Sequence, residues 1–286
     1  MFQWLTGGLC VLTAMQALAA TGVIEGVQMP AWIDRDGQQM PLRVGTKLVA
    51  SDQLHTGLNA RILLRLDEGS SVKLGENGSL RLNEVGAGKG IFSAALAVAK
   101  GAFRFTTAEI MKHRRRDVSV QIGSATVGIR GTDVWGKAAD DKDIVCLLEG
   151  KISVNRNSEE PLVMQEPLTF YVAPKGQPAQ RVAPVPPEQI EKWARETEIQ
   201  AQQGAARLGG KWKLYLLSTP SEAEVLQAYD ALEKSGYAVE IRPVSGKAEI
   251  EYRLRIANLP SRNEAEALAK ILQEQAGVGK TRVSTR

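Results

Sequence analysis

The sequence predicts two domains of different fold class: an all-β domain over residues 21–173 and an α+β domain over residues 211–286. Short apolar runs broken by Gly, Asp and Asn fill the first region, a proline-rich stretch follows it, and the last region repeats a pattern of strand, helix and strand. At 286 residues the chain is long enough for two such domains and a connector.

The first twenty residues carry no charged side chain, and an apolar stretch from Trp4 ends at Ala19 and Ala20. Small residues at this point are typical of a signal-peptidase site, so residues 1–20 are predicted to be a signal peptide. The stretch is shorter than the roughly 20 apolar residues of a spanning helix, and an uncleaved inner-membrane anchor is the alternative. Both alternatives place the remaining chain in the periplasm.

The charge of the chain is mildly basic, with a formal net charge of +4 and a pI near 9.0. The densest basic block, His113-Arg114-Arg115-Arg116, is followed directly by Asp117, which favours a solvated loop between strands over a nucleic-acid surface. Beyond the predicted signal peptide Cys146 stands alone in an apolar run, which is typical of a buried strand and forms no internal disulfide.

The all-β prediction rests on alternation with period two. In residues 60–66 apolar and charged side chains alternate, Asp67-Glu68-Gly69-Ser70 then turns the chain, and another alternating run follows. Turn signals recur roughly every 8–12 residues, which is the spacing of short antiparallel strands. No long segment of this region carries a helical stripe.

Residues 174–210 are predicted to be a linker with a spacer helix. Five prolines between positions 174 and 187 remove backbone donors and favour extended backbone. The pattern from Glu188 to Arg207 predicts a largely polar helix whose small apolar side contains Ile190 and Trp193 and docks on a neighbouring element.

The internal repeat covers the α+β region. The sequence Pro-Ser followed by Glu three residues after the Ser occurs at Pro220 and again 40 residues later at Pro260. In each copy the Ser and the Glu (Ser221 with Glu224, Ser261 with Glu264) form the pattern of a capping box at a helix start. Two βαβ halves predict a βαββαβ order, with a four-stranded antiparallel sheet and both helices on one face.

The other face of this sheet is predicted to be open. Trp212, Leu214 and Leu216 suit the side covered by helices, which leaves Leu217 on the opposite side of the first strand. The candidate binding residues on the open face are Lys213, Tyr215, Ser218, Arg253 and Arg255. A phenol ring beside guanidinium donors suits a saccharide, which packs CH groups on rings and accepts hydrogen bonds. Nucleobase stacking and an ordinary solvated face remain the alternatives.

Residues 211–286 resemble the SPOR domain, also called the sporulation-related repeat. The resemblance rests on Trp212-Lys213-Leu214-Tyr215-Leu216-Leu217-Ser218, on Tyr252-Arg253-Leu254-Arg255-Ile256 and on the run from Pro260 to Ala267. It implies binding of peptidoglycan through the open face, with a preference for glycan strands without stem peptides, which accumulate at the division septum. By position, Tyr215, Ser218 and Arg253 match polar strand positions of the family.

Residues 21–173 resemble the FecR domain of periplasmic proteins. The most specific match is the run from Ala125 to Trp135, which contains Gly128-Ile129-Arg130-Gly131-Thr132-Asp133. The resemblance implies a β-roll or sandwich. No Lys-Ser/Thr follows the glycines, so the run is not a phosphate loop. We expect Gly128 and Gly131 to permit tight turns, and Arg130 and Asp133 to form hydrogen bonds across them.

An enzyme is the poorest fit to this sequence. It contains two histidines, His55 and His113, and no nucleophile elbow, metal-ligand cluster or helix-borne His pair. We therefore predict no catalytic residues, no metal and no cofactor.

Two functions compete. The leading hypothesis is a non-catalytic periplasmic adaptor that binds denuded glycan strands at the septum, while its β domain contacts an envelope or division protein or the wall itself. The alternative is a FecR-type signalling component for which the SPOR-like domain is a wall tether. Contact with a membrane is predicted only for an uncleaved signal, and contact with nucleic acid is not predicted.

Overall fold

A computed structural model describes residues 20–88, 91–109, 116–156, 159–245, 250–276 and 278–285. Apart from Ala20, the predicted signal peptide lies outside the described residues, and so do His113, Arg114 and Arg115 of the basic block.

The described residues before Trp212 form eighteen strands and one helix. The predicted all-β fold of the N-terminal region is confirmed. The first nine strands are β1 (Gly22–Gln28), β2 (Ala31–Arg35), β3 (Gln38–Pro41), β4 (Lys47–Leu48), β5 (Gln53–Thr56), β6 (Arg61–Leu66), β7 (Ser71–Leu74), β8 (Ser79–Gly88) and β9 (Ile91–Thr106). The next seven are β10 (Arg116–Ile122), β11 (Ala125–Ile129), β12 (Asp133–Ala138), β13 (Lys142–Glu149), β14 (Ile152–Arg156), β15 (Leu162–Met164) and β16 (Thr169–Pro174).

The long strand β9 belongs to two sheets. Its first half pairs antiparallel with β8 and parallel with β10, and its second half pairs antiparallel with β7 and β12. The halves meet at Gly101, which has a φ of +88° and where a Cβ would lie 2.7 Å from the Cα of Gly78. Only glycine fits such a close backbone approach at positive φ. The core fills the space between the two sheets and includes Phe103, Val120 and Val127, all fully buried.

The segment 174–210 lies against the β domain. It contains β17 (Ala183–Pro184), which pairs with β16, then helix α1 (Pro187–Thr197), then β18 (Ala206–Arg207), which pairs with β1. The helix predicted for residues 188–207 is therefore too long. It ends at Thr197 because Glu198 adopts extended backbone with ψ of 135°, and the chain then turns toward the edge of β1.

The C-terminal region has the predicted α+β architecture. Its elements are β19 (Trp212–Thr219), α2 (Glu222–Lys234), β20 (Glu240–Ser245), β21 (Ile250–Leu259), α3 (Arg262–Ala276) and β22 (Arg282–Ser284). The strands form an antiparallel sheet in the order β20-β21-β19-β22. Both helices pack on one side of it, where Leu214, Leu254 and Leu272 are fully buried.

The helix caps form as predicted only in part. The Oγ atoms of Ser221 and Ser261 accept hydrogen bonds from the amides of Glu224 and Glu264, at 3.3 and 3.2 Å. The glutamate side chains do not reach back to the Ser amides but serve other partners. The carboxylate of Glu224 accepts from the Thr219 hydroxyl at 2.6 Å. That of Glu264 accepts from three backbone amides between residues 202 and 205 and so ties α3 to the segment before β18.

The two domains are in direct contact. The amide of Ala31 donates to the carbonyl of Gly236 at 3.1 Å, and Arg43 donates to the carboxylate of Glu233 and to the carbonyl of Val239, both at 2.7 Å. A Cβ on Gly236 would lie 2.6 Å from the ring of Trp32, so the loop after α2 is seated closely on β2. These contacts fix the position of the C-terminal domain relative to the β domain.

Candidate functional site

The sheet register places the candidate residues in rows that run across the strands. Tyr215 on β19 lies opposite Arg255 on β21, which lies opposite Glu240 on β20. On its other side Tyr215 lies opposite Arg282 of β22. The strand neighbours Leu214 and Ile256 are buried among the helices, so this row points to the opposite side of the sheet.

A second row runs parallel to the first. Ser218 on β19 lies opposite Arg253 on β21, which lies opposite Arg242 on β20, and Glu251 is two residues before Arg253. We call the combined surface the open face. It consists of Tyr215, Ser218, Glu240, Arg242, Glu251, Arg253, Arg255 and Arg282.

The ring of Tyr215 is covered by guanidinium groups. The guanidinium carbon of Arg282 lies 4.7 Å from the ring centroid and that of Arg255 lies 6.0 Å from it, within the range of cation–π contacts. The hydroxyl also lies 3.5 Å from Nη1 of Arg255, and the whole residue is only 8% exposed. A saccharide that approaches this face therefore meets arginine first, and it stacks on the phenol only if Arg282 moves.

Two glutamates pair with the arginines of the open face. Glu240 accepts hydrogen bonds from Arg255 at 2.6 Å and from Arg242 at 2.8 Å. Glu251 accepts from the Ser218 hydroxyl at 2.5 Å and from Arg253 at 2.7 Å, and these bonds lower the pKa of Glu251 below its usual value. With four arginines and two glutamates, the face keeps a net positive charge after these pairs form.

Lys213 is placed apart from the two rows. It lies opposite Ser284, and its ammonium donates to the carbonyl of Thr285 at 2.9 Å, which holds the end of the chain against β19. The structure thus brings Tyr215, Ser218, Arg253 and Arg255 together, whereas Lys213 binds the residue that follows β22.

One predicted orientation on the first strand is wrong. The register of β19 against β21 shifts between Tyr215 and Leu217, so strict alternation fails there. Leu217 lies opposite the buried Leu254, and together with Leu216 it lines a cavity of about 510 Å³ beside α2. Its side chain therefore belongs to the helix side of the sheet and not to the open face.

Four members of the open face were not among the candidate residues: Glu240, Arg242, Glu251 and Arg282. Glu251 lies on β21 two residues before Arg253, and the other three lie on β20 and β22, whose alternation was not used. In β22, for example, Val283 packs on the core, so its neighbour Arg282 must face the other way.

Comparison with protein-family models decides the domain types. Residues 52–153 match the FecR protein family and residues 208–284 match the SPOR domain. The chain contains a FecR domain followed by a SPOR domain. The SPOR match supports peptidoglycan binding, and both domains are of non-catalytic kinds that indicate an envelope or periplasmic location.

Solved structures give a more distant similarity. Two crystal structures of a candidate anti-sigma factor from Parabacteroides distasonis align with 81% of this chain and 96% of their own, at 16% sequence identity and a TM-score of 0.42. No curated protein matches the chain.

The run from Ala125 to Trp135 of the FecR domain differs from the prediction at two positions. Gly131 has a φ of +70° in a turn, as expected. Gly128, however, lies inside β11, where a Cβ would come within 2.6 Å of the Ser153 Oγ. The carboxylate of Asp133 binds Arg104 on β9 through two hydrogen bonds of 2.7 and 2.9 Å, so the predicted bonding of Asp133 across the turn is wrong. Arg130 is exposed beside this turn.

Two further observations concern other site types. No helix within the described ranges is long and apolar enough to cross a membrane. The same residues hold no cluster of three or more side chains suited to bind a metal ion.

Proposed function

We propose that the protein is a non-catalytic periplasmic adaptor whose SPOR domain binds denuded peptidoglycan glycan strands at the septum through the open face. The observation that carries the proposal is the pair of rows that place four arginines and two glutamates on one side of the SPOR sheet.

The charge of the open face supports a preference for denuded strands. Removal of a stem peptide leaves a free carboxylate on the lactyl group of each N-acetylmuramic acid. Arginine binds carboxylates through two parallel N–H donors, and such charge-assisted bonds are about twice as strong as neutral ones. A strand with its peptides attached lacks that carboxylate on the sugar, and its peptides hinder access to a flat sheet.

Two arginines of the open face can exchange their glutamate partners for a carboxylate of the ligand. Arg242 is 57% exposed and Arg253 is 30% exposed, and their present partners are glutamates at the surface. Exposed ion pairs contribute only about 0–1 kcal/mol, so a ligand carboxylate replaces them at little cost.

The test is co-sedimentation of the full chain with amidase-treated and untreated peptidoglycan. Arg253→Ala with Tyr215→Ala is expected to lower binding to the treated material sharply. Because Tyr215 is nearly buried, Arg253→Ala with Arg242→Ala is the second variant, which leaves the ring and its packing intact. Arg262→Ala is the matched control, since Arg262 is 67% exposed on α3 and binds Glu266. Unchanged binding by both folded double variants would reject the open face as the glycan site.

A second candidate function rests on the FecR match over residues 52–153. In it the FecR domain acts as a periplasmic signalling component and the SPOR domain is a wall tether. Loss of an iron-dependent transcriptional response on deletion of the gene would favour this function over the adaptor.

A further inference from the structure

The outer side of the FecR domain carries a cavity of about 690 Å³ over β10, β11, β14 and β15. This volume falls within the roughly 300–1,000 Å³ typical of small-ligand sites. Its lining residues lie between positions 116 and 163, in a different domain from the open face. Strand β11, which lies within the run from Ala125 to Trp135, and its neighbours form the cavity. We call it the Gly128 trough.

The floor of the Gly128 trough is formed by the backbone of Gly128 and the adjacent Ser153 hydroxyl, since a Cβ at position 128 would lie 2.6 Å from the Ser153 Oγ. Gly128 on β11 lies opposite Ser153 on β14, and Ser153 lies opposite Val163 on β15. The strand neighbours Val127 and Ile129 are buried, so this row faces outward. Because position 128 has no side chain, the Ser153 Oγ can lie close to the strand there, so a ring that enters the trough meets this hydroxyl.

Charged side chains form the rim of the trough. Ile129 pairs with Ile152 at the end of β11, so Arg130 and Lys151 follow as neighbours just beyond the paired strands. Both are exposed, as is Asp117 on β10. Arg116 also lines the cavity, but its guanidinium is partly buried and near Glu68, so it is not part of the exposed rim. Arg130 and Lys151 against the carboxylate of Asp117 give the rim a net positive charge.

The remaining wall is apolar and small. Val163 is 53% exposed beside the Ser153 hydroxyl. One apolar wall, a hydroxyl and two neighbouring cations together suit a saccharide ring that carries a carboxylate, since CH groups meet the apolar surface and the acid meets the guanidinium group of Arg130. A nucleic acid would need a longer basic surface than these residues supply.

We propose that the Gly128 trough is a second saccharide site of this protein and that it binds N-acetylmuramic acid residues with a free lactyl carboxylate. The identity of the polymer rests on the proposed function of the SPOR domain. The trough then lets one chain hold a denuded strand, or two neighbouring strands, at two places. Linked sites of this kind raise the overall affinity by about 10²–10⁴ over one site alone.

The experiment uses the full chain and measures the affinity for denuded glycan strands in two backgrounds, with the open face intact and with Arg253→Ala and Arg242→Ala. In each background the trough is altered by Arg130→Glu with Lys151→Glu. The matched control is Lys100→Glu with Arg181→Glu, which changes the net charge equally at exposed positions that do not line the trough. Lys100 follows the part of β9 that pairs with Ile122, at the opposite end of β10 from Arg116.

With the open face intact, the trough variant is expected to weaken binding about tenfold or more relative to its control, as lost bivalency requires. With the open face altered, the control retains weak binding and the trough variant loses it. Equal affinity of trough variant and control in both backgrounds overturns the proposal. If instead altering the open face has no effect while altering the trough abolishes binding, the trough stands and the proposed SPOR function fails.

Two further probes test the ligand class. Strands whose lactyl carboxylates are converted to amides should lose the difference between trough variant and control, and inorganic phosphate should compete poorly. Retention of the difference with amidated strands, or efficient competition by phosphate, would contradict a site for an acidic saccharide.

Discussion

Two rows of side chains, one on each domain, show how composition decides whether a sheet face is covered. In the FecR domain the register aligns Lys73, Arg104, Trp135, Cys146 and Phe170 across five strands. Helix α1 covers the end of this row formed by Trp135, Cys146 and Phe170, with Trp193 stacked on Trp135 at 4.5 Å between ring centroids. In the SPOR domain the equivalent row is Glu240, Arg255, Tyr215 and Arg282, and the two helices pack on the opposite side of the sheet.

The difference follows from the energy of hydration. Two aromatic rings and a thiol gain from removal of water, at about 25 cal/mol for each Å² of apolar surface. Burial raises the pKa of the Cys146 thiol to about 12, so this thiol stays protonated and behaves as an apolar group. A row of arginines and a glutamate would lose hydration under a helix and gain little in return. The charged row therefore stays available to a ligand.

The covered row gives the largest expected effect on stability. Trp193→Ala removes the stack on Trp135 and the edge contact with Phe170, and should lower the free energy of unfolding by about 3–5 kcal/mol. Lys192→Ala, at an exposed position of the same helix, is the control. Urea unfolding measures both. A loss below about 1 kcal/mol for Trp193→Ala would show that α1 is not needed to cover the row.

A smaller effect is expected where the SPOR domain is tied to the segment before β18. Glu264→Ala leaves the amides of Gln202, Gly204 and Ala205 without their carboxylate partner, and should cost about 1–3 kcal/mol. Glu266→Ala, which loses only an exposed pair with Arg262, should cost less than about 0.5 kcal/mol. Thermal unfolding of the two variants provides the comparison, and equal losses would contradict the role assigned to Glu264.

On the open face, Arg282→Ala should change accessibility more than stability. The guanidinium of Arg282 covers the ring of Tyr215, and an exposed cation–π contact contributes about 0.5–1 kcal/mol. We expect faster nitration of Tyr215 and a stability close to that of the parent. Arg242→Ala is the control, because Arg242 lies on β20 away from the ring. An unchanged nitration rate would mean that the ring is shielded by something other than Arg282.

The smallest expected effect is the dependence on pH of the contribution that Glu251 makes to stability. Hydrogen bonds from Ser218 and Arg253 lower the pKa of Glu251, so its contribution to stability is complete above the unfolded-state pKa and is lost as the pH falls through the folded-state pKa. The stability difference between the parent and Glu251→Gln should stay constant down to about pH 4.5 and shrink below it. A difference that grows as the pH falls would have the wrong sign.

Much of the fold could be predicted from the sequence because its signals are local. The repeated Pro-Ser with Glu three residues on located both SPOR helices, and period-two alternation identified the FecR strands. The end of α1 at Thr197 was missed because the pairing of β18 with β1 is a tertiary contact that outweighs the helical preference of residues 198–207.

The candidate site could be predicted where it depends on alternation along a single strand, and could not where it depends on contacts between strands. Arg253, Arg255 and Tyr215 share a face because strands alternate, which the sequence shows directly. The shift of register that turns Leu217 inward, and the cover that Arg282 places over the ring, depend on how β19 meets β21 and β22. Such contacts between distant residues leave no periodic trace in either segment.

The most direct test of the central claim compares the affinity of the full chain for denuded glycan strands with its affinity for the same strands after the lactyl carboxylates are amidated. Sugar rings and strand length are unchanged between the two, so the difference reports the interaction of the arginines with the acid. We predict at least about tenfold weaker binding to the amidated strands, and a difference that diminishes with added salt because exposed charges are screened. Equal affinity for both ligands would contradict the account.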